Sequence, residues 1–363
     1  MTARDESYME RAMKLAALGI GATSPNPMVG AIVVSPLGTT VGTGFHQRAG
    51  GDHAEIRALD EAGKLALGST VYCTLEPCCH RGRTGPCAPR IVESGVERVV
   101  VAMLDPNPRV NGKGVSYLRR HGLKVDVGLK RKEAARLNEA FITWVTQGRP
   151  FITVKIAVSL DGRITEYQGK RTTLTGNAAN LSVHEDRAVV DGIGIGSTTL
   201  LVDDPLLTAR ATDRQLPLKR VIFDRRLRTP STSRIFDTLS DGPVIVMTTQ
   251  KSFVDRPREI DKLLSVGAQV EPIVGDDVKD AMAKLGSLRI TSLIVEGGTT
   301  IHSGCWKAGV VDRVRMFMVP VELGSQGVEW VCSQESPFLS LSSLRVQRHG
   351  QDFKVEGDVL RTN

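Results

Sequence analysis

Aromatic side chains are scarce, making up 4% of a 363-residue chain that carries 36 glycines. Small and aliphatic residues in that proportion suit alternating α/β units better than a β-sandwich core. Cysteine is also sparse: six in this length are no disulfide framework, and four of them crowd between Cys73 and Cys87. A metal held in a reducing compartment accounts better for the crowding. No run reaches the roughly 20 apolar residues that a spanning helix needs. The start of the chain, with Asp5 and Glu6, has no continuous apolar core, which argues against a signal peptide. The expectation is therefore a cytoplasmic protein with no membrane partner. Interleaved aromatics and a concentrated basic face, which single-strand nucleic-acid binders use, are missing as well, so no nucleic-acid partner is expected. The net charge of +7 instead favours small anionic partners such as phosphorylated compounds. Its densest run, Lys130-Arg131-Lys132, reads as the start of a solvated helix. The length allows two domains with ample core.

What is present gathers early. His53-Ala54-Glu55 is followed by Thr74-Leu75-Glu76-Pro77-Cys78-Cys79-His80 and, after Arg81-Gly82-Arg83-Thr84-Gly85-Pro86, by Cys87. One imidazole and two thiolates leave the fourth position of a tetrahedral zinc open to water, as a catalytic centre requires. We assign the ligands as His53, Cys78 and Cys87, with Cys79 or His80 as alternatives to Cys78. Zinc lowers the pKa of its water to about 7. A carboxylate beside that water and not itself a ligand, Glu55, can then carry a proton to a departing amine. The order matches the H-x-E then P-C-x-x-C signature of zinc deaminases, except that the second cysteine comes nine positions on, since 87 − 78 = 9. A purely structural zinc would take four protein ligands and leave Glu55 without a role.

The rest of the first half frames this set. Ser7 to Leu18 reads as an amphipathic helix, and Ser24-Pro25-Asn26-Pro27 as a rigid turn that aims Asn26 over the end of a strand, Val29 to Val34. A second strand, Val41 to Phe45, leads to His46. A helix over Ala54 to Ala62, closed by Gly63, places His53 and Glu55 in its first turn, where the helix dipole favours negative charge. Thr70 to Leu75 reads as a strand and Pro77 as the first turn of a helix. The segments from Ile91 to Val127 continue the alternation of a covered, largely parallel sheet. Between them Asp105 to Gly114, with two prolines and two glycines, is expected to be an ordered loop serving as a substrate lid. A helix over Glu133 to Trp144 leads to Gly148-Arg149-Pro150, a boundary that divides the chain into 1–148 and 149–363.

The second half reads as another α/β domain. Strands are expected at Phe151 to Val158, Val221 to Asp224, Val244 to Thr248, Leu293 to Val295 and Arg315 to Val319. Helices are expected at Asn177 to Val190, Arg256 to Leu264, Val278 to Leu285 and Ile301 to Ala308, and a closing hairpin turns at Gly350-Gln351-Asp352. Val295-Glu296-Gly297-Gly298-Thr299-Thr300 stands where a strand gives way to a helix, and free amides at a helix N-terminus bind phosphate. It is not the G-x-G-x-x-G fingerprint. Gly192-Ile193-Gly194-Ile195-Gly196 reads as a strand.

These residues support a resemblance. Ser24 to Gly30, Gly44-Phe45-His46, His53-Ala54-Glu55, Thr74 to Cys87 and Asp105 to Pro108 resemble the deaminase domain of the bifunctional riboflavin-biosynthesis deaminase–reductase family, within the cytidine-deaminase superfamily. Arg149-Pro150-Phe151, Lys155, Ser159 to Arg163, Asp203-Asp204-Pro205, Leu207-Thr208 and Glu296-Gly297-Gly298 are similar to its reductase domain. The resemblance implies a cytidine-deaminase-like α/β/α domain followed by a dihydrofolate-reductase-like α/β domain. It implies zinc-dependent deamination of 2,5-diamino-6-ribosylamino-4(3H)-pyrimidinone 5′-phosphate, then NADPH-dependent reduction of the ribosyl chain to ribityl. By position, Ala157, Thr173, Thr199, Asp203, Gly298, Thr299 and Thr300 would meet NADPH. Asn26, His46, Lys155, Arg171, Arg187, Leu207, Arg210 and Glu296 would meet the phosphorylated pyrimidine substrates. Arg171 and Thr173 stand where the family usually has Ser and Trp. Assembly into a homo-oligomer is expected. The alternatives are a deaminase whose second domain is a scaffold, and a nucleic-acid base deaminase.

Overall fold

The computed structural model describes residues 1–79, 85–108, 110–210, 214–330 and 341–360. By contacts the chain divides into two compact units, Met1–Gly148 and Arg149–Asn363.

The first unit runs α1 (Ala3–Ala17), β1 (Gly30–Val34), β2 (Thr40–Phe45), α2 (Ala54–Ala62), β3 (Thr70–Cys73), α3 (Cys87–Glu93), β4 (Arg98–Val101), α4 (Lys113–Arg120), β5 (Lys124–Val127), α5 (Arg131–Leu137) and α6 (Glu139–Gln147). Its sheet has the order β2-β1-β3-β4-β5. β3, β4 and β5 are parallel, and β1 runs antiparallel to both β2 and β3, so the sheet is largely parallel with the one strand β1 reversed. The link from β1 to β2, residues 35–39, is too short for a crossover and can only close a hairpin. The central strands are largely apolar, with Ala31, Ile32, Val33, Val99 and Val100 fully or nearly fully buried, as strands covered on both faces must be. α2 lies on β2 at backbone contact: a Cβ on Gly44 would fall 2.2 Å from the Ala54 carbonyl oxygen. That approach, open only to glycine, fixes the start of the helix that carries Glu55.

Other expectations change. No helix begins at Pro77; β3 ends at Cys73, and the next helix among the described residues opens at Cys87 behind an extended Pro86. Ile91 to Glu93 close that helix, in keeping with the expected alternation. The single helix expected over Glu133 to Trp144 is broken at Asn138, whose backbone (φ −110°, ψ 21°) leaves the helical region.

The second unit runs β6 (Phe151–Ser159), β7 (Arg163–Thr165), α7 (Asn177–Ala188), β8 (Gly192–Gly196), α8 (Ser197–Asp203), β9 (Lys219–Phe223), β10 (Val244–Thr249), α9 (Gln250–Asp255), α10 (Pro257–Ser265), β11 (Gln269–Ile273), α11 (Val278–Ser287), β12 (Ser292–Val295), α12 (Thr299–Lys307), β13 (Arg313–Val319), β14 (Val328–Glu329), β15 (Leu341–His349) and β16 (Asp352–Val359). Its main sheet has the order β11-β10-β9-β8-β12-β6-β13-β16-β15. The strands from β11 to β13 in that order are parallel, and the β15–β16 hairpin adds on antiparallel. The Gly-Ile-Gly-Ile-Gly stretch is strand β8 between β9 and β12, with both isoleucines buried. No helix among the described residues is long and apolar enough to cross a membrane.

Candidate active sites

Three short segments of the first unit converge. His53 is the extended N-cap residue of α2, Cys87 is the first residue of α3, and Cys78 lies in the stretch that follows β3. The His53 Nδ1 stands 3.0 Å from the Cys87 Sγ and 3.5 Å from the Cys78 Sγ, and the Cys87 backbone N–H donates to the Cys78 sulfur at 3.3 Å. The ligand atoms of His53, Cys78 and Cys87 all lie within 4.8 Å of one another. Among the described residues Cys79 is not in this cluster, and the other alternative, His80, lies outside the described residues, as does the basic insert that follows it.

The donor set can be tested for the ion it suits. The hydrogen bond with Cys87 and then that with His53 hold the Cys78 thiol down to about 4. The bond to Cys78, together with burial, pushes the Cys87 thiol far up. Two thiolates this close need a cation between them. A tetrahedral site with two sulfurs and one imidazole fits zinc. Glu55, 3% exposed, sits in the first turn of α2 beside these groups. Burial pushes its carboxyl up to about 7, His53 opposes that shift, and Cys87 hydrogen-bonds to it. A carboxyl near neutrality can both take and give a proton.

Asn26 and His46 stand next to the cluster. The His46 and His53 rings meet edge to face with centroids 5.6 Å apart. His46 Nδ1 faces the Asp52 carbonyl oxygen at 3.1 Å, and Nε2 faces the Asn26 Nδ2 at 3.1 Å. A proton on Nδ1 satisfies both contacts, and burial, by lowering the His46 pKa, favours that neutral ring. The Asn26 carboxamide is thereby turned with its nitrogen on His46 and its oxygen away from it. The turn itself is held from a distance. Asn138 accepts from the Met28 N–H at 2.8 Å and donates to the Met28 carbonyl at 2.9 Å, as a neighbouring strand would. Sequence reading missed Asn138. The available signal was a poor helix former standing before Glu139 inside a helical pattern.

In the second unit the residues expected around the substrate also meet. Arg187, on α7, makes a two-pronged bond to Glu296, Nε and Nη2 each 2.9 Å from a carboxylate oxygen, and donates from Nη1 to the Thr208 carbonyl. Lys155 Nζ, on β6, is 3.9 Å from Glu296 and 5.6 Å from the centre of the Phe317 ring. Burial acts to raise the Glu296 carboxyl, but Arg187 and Lys155 outweigh it and hold it at about 2. Burial also lowers the Lys155 pKa. The Arg210 N–H donates to His184 on α7, and buried Leu207 takes a left-handed backbone conformation (φ 53°).

The expected cofactor residues divide. Thr199, on α8, accepts from the Gly298 N–H at 3.1 Å, and Thr299 and Thr300 form the first turn of α12. Gly297 has φ 115°, and a Cβ there would lie 2.8 Å from the Thr199 hydroxyl, so the turn admits only glycine. A bare backbone cradle at a helix N-terminus fits the diphosphate of a nucleotide. Asp203 closes α8; burial raises its carboxyl, and Arg171 lies near enough to oppose that. Thr173 and Arg171 are exposed between β7 and α7. Ala157, partly buried, packs against Ala179, Val183 and Phe317.

Residues 2–103 match the cytidine and deoxycytidylate deaminase zinc-binding region, and residues 150–355 match the RibD C-terminal domain. The chain is 39% identical to the riboflavin biosynthesis protein RibD of Aquifex aeolicus (strain VF5) over 357 residues, 97% of each chain. The chain belongs to the RibD family. It is 38% identical to RibD of Escherichia coli (strain K12), with 89% of each chain covered. The solved structure of Acinetobacter baumannii RibD superposes with a TM-score of 0.89 at 33% identity over 99% of both chains. A Thermotoga maritima structure, described as a diaminohydroxyphosphoribosylaminopyrimidine deaminase/5-amino-6-(5-phosphoribosylamino)uracil reductase, gives 0.85 at 34% identity, covering 98% of this chain and 99% of that one. Both the cytidine-deaminase-like fold and the reductase fold are therefore present. The chain is a riboflavin-biosynthesis enzyme with deaminase and reductase domains and with zinc and NADPH as cofactors.

Proposed function

We propose that the unit of residues 1–148 deaminates the diaminopyrimidine ribosylamine phosphate and that the unit of residues 149–363 reduces the ribosyl chain of the product. The observation that carries the first half is the gathering of His53, Cys78 and Cys87 within 4.8 Å, with Glu55 buried beside them. His53, Cys78 and Cys87 hold the ion, and Glu55 moves protons between the attacking water and the departing amine. Zinc, when bound, polarises that water and makes it acidic near neutrality. Asn26 presents its amide oxygen to the substrate, held by His46. In the second half, the Thr299 and Thr300 amides, at the turn that the Gly298–Thr199 bond closes, hold the cofactor phosphates, next to Asp203 and with Gly298, Ala157 and Thr173 on the cofactor's flank. NADPH supplies the hydride when bound. Glu296, fixed by Arg187, orders the sugar hydroxyls; Lys155 faces the reacting carbon; Arg171, Leu207 and Arg210 line the rest. The protein acts in the cytoplasm as a homo-oligomer, on small phosphorylated pyrimidines and not on nucleic acid.

Product identification tests this. Purified protein given the diaminopyrimidine substrate should release ammonia, and should form the ribitylamino product only when NADPH is added. A strong chelator should stop the first reaction and spare the second when the deaminated intermediate is supplied. Failure to oxidise NADPH with that intermediate would make the second unit a scaffold.

A further inference from the structure

Glu76 stands two residues before Cys78 and takes no part in the metal cluster. It is 3% exposed, and its carboxylate is filled by backbone amides of a different segment. Oε2 accepts from the Asp105 N–H at 3.1 Å and the Gly112 N–H at 2.9 Å, while Oε1 accepts from the Val115 N–H at 3.0 Å. The Glu76 N–H in turn donates to the carbonyl of Met103, two residues past the end of β4. Gly112 is the N-cap residue of α4 and has no side chain to cap it. Two of the amides that a helix start leaves unpaired, those of Gly112 and Val115, are here satisfied by Glu76, whose charge also suits the helix N-terminus.

The contact is close as well as bonded. A Cβ on Gly114 would fall 1.9 Å from the Pro77 carbonyl oxygen, so α4 rests directly on the Glu76-Pro77 backbone. The same segment walls a cavity of about 600 Å³ lined by Cys79, Asn111, Gly112, Lys113, Ser116 and Tyr117 among others. Cys79 is next in the chain to the ligand Cys78. Asp105 and residues 110–115, held on Glu76, therefore shape a space whose wall includes the chain neighbour of a metal ligand.

We propose that Glu76 is a positioning residue for deamination: it locks Asp105 and residues 110–115 to the Cys78 end of the metal loop, making them a fixed wall of the substrate site. The inference rests on the deaminase reading above. A carboxylate is required because three N–H donors meet two acceptor oxygens; the amide of a glutamine would turn an NH₂ against one of those donors.

The test compares wild type with Glu76→Gln and Gly114→Ala, the second of which keeps the carboxylate but pushes α4 off Glu76 and Pro77. Both should raise KM for the diaminopyrimidine substrate by about tenfold, the size of one lost buried hydrogen bond, with a smaller change in kcat. Both should speed amide hydrogen exchange at Gly112 and Val115. Zinc content and NADPH-dependent reduction of the deaminated intermediate should stay at wild-type values, which shows that the chain is folded. A wild-type KM with wild-type exchange overturns the proposal, and so does loss of zinc or of reduction in step with deamination, since Glu76 would then be holding the fold. Should wild type fail to deaminate, the functional reading falls, and the exchange rates alone decide whether Glu76 locks the segment.

Discussion

Two buried carboxylates, one in each unit, are held in opposite states. Glu55 is surrounded by sulfur and imidazole in the first turn of α2, and burial pushes it up to about 7. Burial acts on Glu296 in the same direction, yet Arg187 and Lys155 hold it at about 2. The difference is one of partners: a guanidinium bonded through two nitrogens outweighs desolvation, and no such cation is among the groups that set Glu55. Glu55 is thus suited to trade a proton near neutrality, and Glu296 to stay a fixed charge that orders hydroxyl groups. One fold class carries both chemistries by varying the neighbours of a glutamate.

Four substitutions break or sharpen that contrast. Glu55→Gln removes the proton carrier and should cut deamination by about 10²–10⁴-fold, with zinc content and reductase rate retained; steady-state assays of both reactions read it. Arg187→Met leaves Glu296 buried with only Lys155 at 3.9 Å. It should cost about 3 kcal/mol in urea unfolding and stop reduction, while deamination survives.

The pH dependence follows from the sign of the Glu296 shift. Its folded pKa, about 2, lies below its ordinary value of 4.5, so its contribution is fully present above 4.5 and is lost as pH falls toward 2. On the order of 2–3 kcal/mol should disappear over that window. Urea midpoints should therefore fall more steeply on acidification for wild type than for Glu296→Gln. The smallest effect is expected from Thr199→Val, which deletes the acceptor of the Gly298 N–H bond. KM for NADPH should rise by less than about tenfold, with deamination untouched.

The two sites also differ in how far they could be read from the chain. His53, Cys78 and Cys87 lie within 34 positions of one another, so residue type and spacing alone pointed to a shared ion. Arg187 and Glu296 are 109 positions apart, and nothing local to either residue names the other; only likeness to a known family placed them in one site. Secondary structure followed the same rule. The helix over Ala54–Ala62, with Gly63 at its end, matched its sequence signals residue for residue. The antiparallel β1 was missed because strand direction depends on the length of a link and not on the strand itself. Asn138 and Glu76 were given no role because each acts on the backbone of a remote segment, Met28 for the first and Asp105 and residues 110–115 for the second. A backbone partner leaves no mark in residue type.

The most direct test of the metal centre is zinc-edge X-ray absorption on the purified protein, with metal content measured on the same sample. One zinc per chain is predicted, with two sulfur ligands at about 2.3 Å, one imidazole nitrogen at about 2.0–2.1 Å and one exchangeable oxygen. Zinc held by four protein ligands, or a purified protein that deaminates without zinc, would contradict the assignment of His53, Cys78 and Cys87 as an open catalytic site.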